Sequence, residues 1–290
     1  MPPPSTGPQH HLRGILLLVA AVSTFAVMDT TAKYLSQTHP VPASVWFRYV
    51  FQTVFMVAVL GPRLGRGLLR SRRPGLQIAR GAVLALSTLL YFLALSLMPI
   101  AEASAITFLS PLLLTALSVL FLRERVAPVA WLAVAAGFAG VLIIVRPGGA
   151  VFTPAAALPL ATAFCFAAYQ LMTRQLAGVD SSVATLFYGA LVGTALVSLP
   201  LPFYWHPPAT LTHGLLLAML GILGGVGHFV LIRAFEHAPA SVLAPFVYTQ
   251  LVSVLILGYV VFGDFPDGWS LAGMAIIVAS GAFIAARGRR

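Results

Sequence analysis

Asp29 and Lys33 stand four residues apart inside an apolar run, so a helix there puts them on one face, the acid N-terminal to the base. Arg48 lies within the next apolar run, and Glu102 lies between the third and fourth. Charge at membrane depth is costly and usually serves the movement of ions or solutes. Two uses fit these residues. Either they are an ion-pair cluster that lets the first two helices pack, or they form a charged floor or gate over a solute cavity. In the second case Asp29 can also carry a proton. Further along, Gln170 and Arg174 repeat the spacing of Asp29 and Lys33, and Arg233, Glu236 and His237 cluster at the end of another run. These charges either gate the opposite face, or Arg174, Arg233 and Glu236 anchor at the interface as snorkelling side chains.

A different kind of chemistry is offered by the polar aromatics. Trp46, Tyr91, Tyr169 with Gln170, His228 and Tyr248 all fall inside apolar runs. At half depth such groups hydrogen-bond a solute while their rings pack its apolar part. They are the residues expected to line a solute cavity. His228 closes the run GILGGVGH, whose glycines allow close helix approach, so it serves as an interhelical bridge or as a ligand. Pro111 and Pro245 interrupt two further runs and free carbonyls that can line a cavity.

The elements that must position these groups follow from composition. Charged residues make up 8% of the 290, against about 25% in a soluble protein. Apolar runs lie near 14–37, 42–60, 78–98, 103–122, 129–145, 155–176, 181–200, 211–233, 240–262 and 269–286, each close to the roughly 20 residues that cross a bilayer. Because unpaired backbone amides are so costly in hydrocarbon, these runs predict an all-α integral membrane protein of ten transmembrane helices. The first run is read as a helix and not as a cleaved signal peptide, since its apolar core continues into Asp29 and Lys33.

The runs also repeat. ALSLMP at 94–99 is matched by AFEHAP at 234–239; each precedes a long apolar run, an acid (Glu124, Asp264) and a run led by Trp131 or Trp269. The chain is thereby read as two units, 1–150 and 151–290, of five helices each. An odd number of spans inverts the second unit relative to the first, an arrangement of secondary transporters that holds solute between the repeats.

The net charge of +10 is set by orientation. With the N-terminus cytoplasmic, 14 of the 17 lysines and arginines fall on the inner side, leaving Lys33, Arg48 and Arg146. The positive-inside rule then places both termini in the cytoplasm of a cell that keeps this chain in its inner (plasma) membrane. The basic loop at 61–77 is read as headgroup contact with the lipid bilayer, not as a nucleic-acid site. The single Cys165 forms no internal disulfide, and neither metal nor cofactor is expected. Asp29 is the only acid deep in a run, which leaves no paired carboxylates, no Ser/His pair and no metal cluster for an enzyme.

AEASAITFLSPLLLTALSVLFLRERVAPVAWLAVAAGFAGVLIIV, with Pro111, Glu124 and the Trp-led helix after it, resembles the drug/metabolite transporter superfamily of the EamA type. FGDFPDGWSLAGMAIIVASG echoes that segment in the second half, and FAVMDTTAKYLS and SVWFRYVFQ are also similar to the family. The resemblance covers essentially the whole chain. It implies two inverted five-helix repeats around a central cavity lined by the first four helices of each, with the fifth and tenth outside. The second half departs from the pattern by carrying Leu186 where Arg48 has its counterpart. The function expected on these grounds is export of amino acids or similar neutral or zwitterionic solutes by alternating access. The alternatives are uptake of a nucleoside- or S-adenosylmethionine-like metabolite, and a channel or scramblase.

Overall fold

Helix boundaries follow local chemistry in this computed structural model, which describes residues 8–122, 128–146, 148 and 152–287. Glu124, Arg123 and Arg125 lie outside the described residues. The helices are α1 Pro8–Ser36, α2 Val41–Leu64, α3 Pro74–Leu97, α4 Ile100–Thr107, α5 Ser110–Leu122, α6 Pro128–Ile144, α7 Ala157–Leu176, α8 Ser182–Ser198, α9 Leu201–Tyr204, α10 Leu211–His237, α11 Ala240–Leu243, α12 Thr249–Phe262 and α13 Gly268–Arg287. Pro74 opens α3, where its missing N–H is no loss. The side chains of Ser181 and Thr210 accept from the amides of Ala184 and His213 and cap α8 and α10. Gly263 ends α12 at φ 73°, a conformation open to glycine at little cost.

The fold corrects the expectation of ten membrane-spanning helices. Among the described residues six are long and apolar enough to cross: His11–Ser36, Val41–Leu64, Pro74–Leu97, Ile100–Phe121, Pro154–Leu176 and Leu211–His237. The other four apolar helices are shorter, Pro128–Ile144, Ser182–Ser198, Phe246–Phe262 and Gly268–Ile284. A helix of 17 residues, as α6 and α8 are, rises only about 26 Å, short of a hydrocarbon core of about 30 Å. The apolar runs in the sequence had included residues that do not extend an α-helix. Leu199 and Pro200 lie in a turn, and the run at 240–262 divides into α11, a 3-10 segment at Ala244–Tyr248 and α12.

Packing joins helices far apart in the chain. The most extensive contact is α1 on α10, followed by α6 on α13, α2 on α10 and α3 on α7. Small residues permit it. A Cβ on Gly140 would stand 2.8 Å from the carbonyl oxygen of Gly273, and one on Gly273 would stand 2.6 Å from that of Gly140. On α10, a Cβ at Gly221 would meet the Arg48 carbonyl at 2.7 Å and the Gln52 amide at 2.6 Å. The bundle thus has two ends. One gathers the loops at 65–73 and 177–181 and is the basic end; the other gathers Met98, Arg146, Asp264 and Asp267.

Candidate functional site

A cavity of about 330 Å³ opens between α3, α7, α8 and α10 toward the basic end, with Arg80, Tyr169, Thr173, Thr185 and His228 in its wall and Asp180 near its mouth. Arg80 is 3% exposed and bound on three sides. Its Nε donates to Thr173 Oγ1 at 2.6 Å, Nη1 to the Thr185 carbonyl at 2.9 Å and Nη2 to the Tyr169 hydroxyl at 2.6 Å. Tyr169 and Thr173 are one turn apart on α7, which is why a single guanidinium reaches both. Arg80 also lies 4.3 Å from the centre of the Tyr169 ring, whose other neighbour is Phe166, stacked at 5.4 Å. The His228 ring meets Phe25 edge-on at 4.9 Å.

At the mouth, Asp180 clasps two loops. It accepts from the Ser71 hydroxyl, from the Arg72 amide at 2.8 Å and from Gln77 Nε2 at 2.9 Å. Burial pushes the Asp180 carboxyl up, but these donors outweigh it and hold the group below its ordinary value.

A second polar cluster lies between α1, α3, α4 and α12. Asp29, 2% exposed, accepts from the Tyr91 hydroxyl and from Gln250 Nε2, each at 3.3 Å, and Tyr91 is in turn 2.8 Å from Ser104 Oγ. Lys33 shares that helix but not that cluster. Its Nζ donates to the Met98 carbonyl at 2.8 Å and faces Asp264 at 3.8 Å. Arg146 pairs with Asp267 at the same end, and its hydrogen bond pulls the Asp267 carboxyl down to about 2. Arg48 is buried on α2 with its guanidinium 4.6 Å from the ring centre of Tyr49.

The six side chains expected around one cavity therefore occupy several places. Tyr169 and His228 line the cavity, and Gln170 is half-buried outside its wall. Tyr91 belongs to the Asp29 cluster. Tyr248 lies tilted against Phe108 at 5.4 Å, with its hydroxyl packed toward Gly281 of α13. Trp46 donates to Ser198 Oγ at 2.8 Å and packs on Trp205 at 5.5 Å, away from the basic end. Among the charges expected to gate, Arg233 and Glu236 form a half-exposed pair at 2.8 Å on one helix, and Arg174 is exposed.

Arg80, by sequence one of the 14 inner-side charges, stands in the cavity wall. A signal was present, since Arg80 falls inside the apolar run at 78–98 and not in the loop before it.

An all-α bundle with long apolar helices, buried ionisable groups and a polar cavity defines a multi-pass membrane protein that handles small solutes. The chain belongs to the EamA-like transporter family, whose sequence pattern matches it twice, at residues 12–146 and 153–286. It is a small-molecule transporter and not an enzyme, with the character of a bacterial inner-membrane protein. The chain is 32% identical to an S-adenosylmethionine uptake transporter of Rickettsia bellii, over 92% of this chain and 91% of that one. A riboflavin transporter of Vibrio cholerae is 33% identical over 95% and 93% of the two chains. A pseudopaline exporter of Pseudomonas aeruginosa is 32% identical over 92% and 94%. A crystal structure of a protein 23% identical in sequence shares the fold with a TM-score of 0.64, over 97% of this chain and 99% of that one.

Proposed function

We propose that this transporter carries an S-adenosylmethionine-like solute, a planar heterocycle joined to a charged tail. The observation that carries the reading is the cavity wall of Arg80, Tyr169 and His228, which sets aromatic side chains and polar atoms around about 330 Å³. That volume suits a small metabolite. The S-adenosylmethionine, riboflavin and pseudopaline named for the relatives support such a solute over the amino-acid export expected from the sequence.

Alternating access fits the two ends. The cavity reaches the 177–182 loop at the basic end, while Lys33–Asp264 and Arg146–Asp267 tie the opposite end. This supports an inward-facing state, with the family-matched halves as the moving units. Asp29, held by two long hydrogen bonds, is the group available to exchange a proton with the gradient.

Purified protein in proteoliposomes tests the reading with labelled S-adenosylmethionine, riboflavin and leucine. Saturable S-adenosylmethionine movement is expected, with the half-saturation raised about tenfold or more by Tyr169→Ala, on loss of the ring and hydroxyl that hold Arg80 in the cavity wall. Movement of leucine without S-adenosylmethionine would return the protein to amino-acid transport.

A further inference from the structure

Arg48 is 4% exposed and Gln52, one turn further along α2, is 3% exposed. Among the described residues, Arg48 Nε and Nη1 and Gln52 Oε1 are buried with no hydrogen-bond partner. A buried cation with idle donors is expensive, and in a packed interior such groups are nearly always matched. Arg80, a cation of the same type in the same bundle, shows what matching looks like.

Together Arg48 and Gln52 thus offer two donor nitrogens of a positively charged guanidinium and, one helical turn away, one carbonyl acceptor. That set is complementary to the head of an amino acid, a carboxylate for the guanidinium and an ammonium for the amide oxygen. We infer that Arg48 and Gln52 form a subsite for the α-amino-acid head of the transported solute, beyond the His228 wall of the cavity. The inference deepens the proposed function and rests on it for the identity of the solute.

Position supports the assignment. A Cβ at Gly224 would lie 3.3 Å from Gln52 Oε1, so α10 gives that amide room by having no side chain there. His228 is the next residue on the same face of α10, four positions on, which is about 6 Å along the axis. It lines the cavity, as Arg80 does. A solute in the cavity that extends past His228 along this face of α10 therefore comes to Gln52 of α2. Asp29 lies within reach of Arg48 as well, but its hydrogen bonds go to Tyr91 and Gln250, leaving the two guanidinium donors for the solute. Riboflavin carries no such head, so the subsite separates solutes that the aromatic wall alone accepts together.

The test measures binding to the purified full-length protein of S-adenosylmethionine, its decarboxylated analogue and 5′-methylthioadenosine, together with melting of the ligand-free protein. Wild type should bind S-adenosylmethionine about 10–100-fold more tightly than the decarboxylated analogue, and Arg48→Gln should bind the two alike. Gln52→Leu should weaken S-adenosylmethionine and the decarboxylated analogue, which both keep the ammonium, and leave methylthioadenosine unchanged. Without ligand, Arg48→Gln should melt within about 2 °C of wild type or above it, whereas Arg80→Gln should melt at least about 5 °C lower. Equal binding of all three compounds by wild type would overturn the subsite and leave the adenosyl reading standing. Binding of none would remove the adenosyl reading; the subsite would then stand or fall on the melts, overturned if Arg48→Gln melts as low as Arg80→Gln.

Discussion

Arg80 and Asp29 are both buried charges in a bundle built for lipid, yet they are held in opposite ways. Arg80 makes three hydrogen bonds of 2.6–2.9 Å to Thr173, Thr185 and Tyr169, and a ring lies against its guanidinium. Asp29 has two hydrogen bonds, both 3.3 Å, from one side chain on α3 and one on α12. Tight matching on several elements fixes a charge and the helices around it. Loose matching leaves a charge able to change partner or protonation as helices move. Burial alone does not separate these cases; the partners do.

Arg80→Ala should break the contrast most severely. It leaves the Thr185 carbonyl and the Tyr169 hydroxyl without their buried donor, each loss worth about 1–3 kcal/mol. Detergent-solubilised protein should melt well below wild type and transport should fall to background; a stable, inactive Arg80→Ala would make Arg80 a solute contact only. Asp29→Asn should fold as well as wild type, because the amide still accepts from Tyr91 and Gln250. Gradient-driven transport should then drop about tenfold or more while solute exchange persists, as expected for loss of an intramembrane proton carrier. Persistence of both activities would assign Asp29 to architecture alongside Arg80. Tyr91→Phe should have a smaller effect, about two- to fivefold on gradient-driven transport, since it removes one neutral donor worth about 0.5–1.5 kcal/mol. An effect equal to that of Asp29→Asn would make the two residues one unit.

The exposed pairs should matter least. The Asp267 carboxyl is drawn from its ordinary 3.8 to about 2 by Arg146. A depressed acid adds stability above pH 3.8 and loses it as pH falls through 2. Asp267→Asn should therefore melt slightly below wild type at pH 5 and pH 7 alike, with the difference closing only near pH 2. A difference that closes between pH 7 and pH 5 would exclude the Arg146–Asp267 bond as its source. Such solvent-exposed pairs contribute little in general.

Helical class, membrane setting and family were all legible in the sequence, because apolar runs, arginine placement and the Pro111–Trp131 segment are local signals. Helix length was not. Whether Leu199 and Pro200 extend a span or turn out of it depends on backbone geometry that hydropathy does not see. Site residues were legible by type and not by direction. Tyr169, His228 and Tyr248 look alike in their runs, yet two face the cavity and the third points toward Gly281 of α13, as the rotation of each helix dictates. Arg80 was hidden by its closeness to the basic loop at 61–77, where charge has an ordinary explanation. Arg48 and Lys33 were recognised as buried charges, but their partners come from helices the sequence gives no means of pairing.

The packing of α1 on α10 has a consequence for how the protein is made. Residues 8–36 leave the ribosome well before residues 211–237, yet their most extensive contact is with them, and Asp29 and its partner Gln250 are 221 residues apart. At about 5–20 residues per second, Gln250 is synthesised about 10–40 s after Asp29. Throughout that interval the first helix stands in the membrane with a carboxyl lacking that partner and an apolar face lacking its neighbour. Assembly of this chain is thus closed by late elements, and a nascent chain stalled before α10 should be a substrate for membrane quality control even though every helix it contains is already formed.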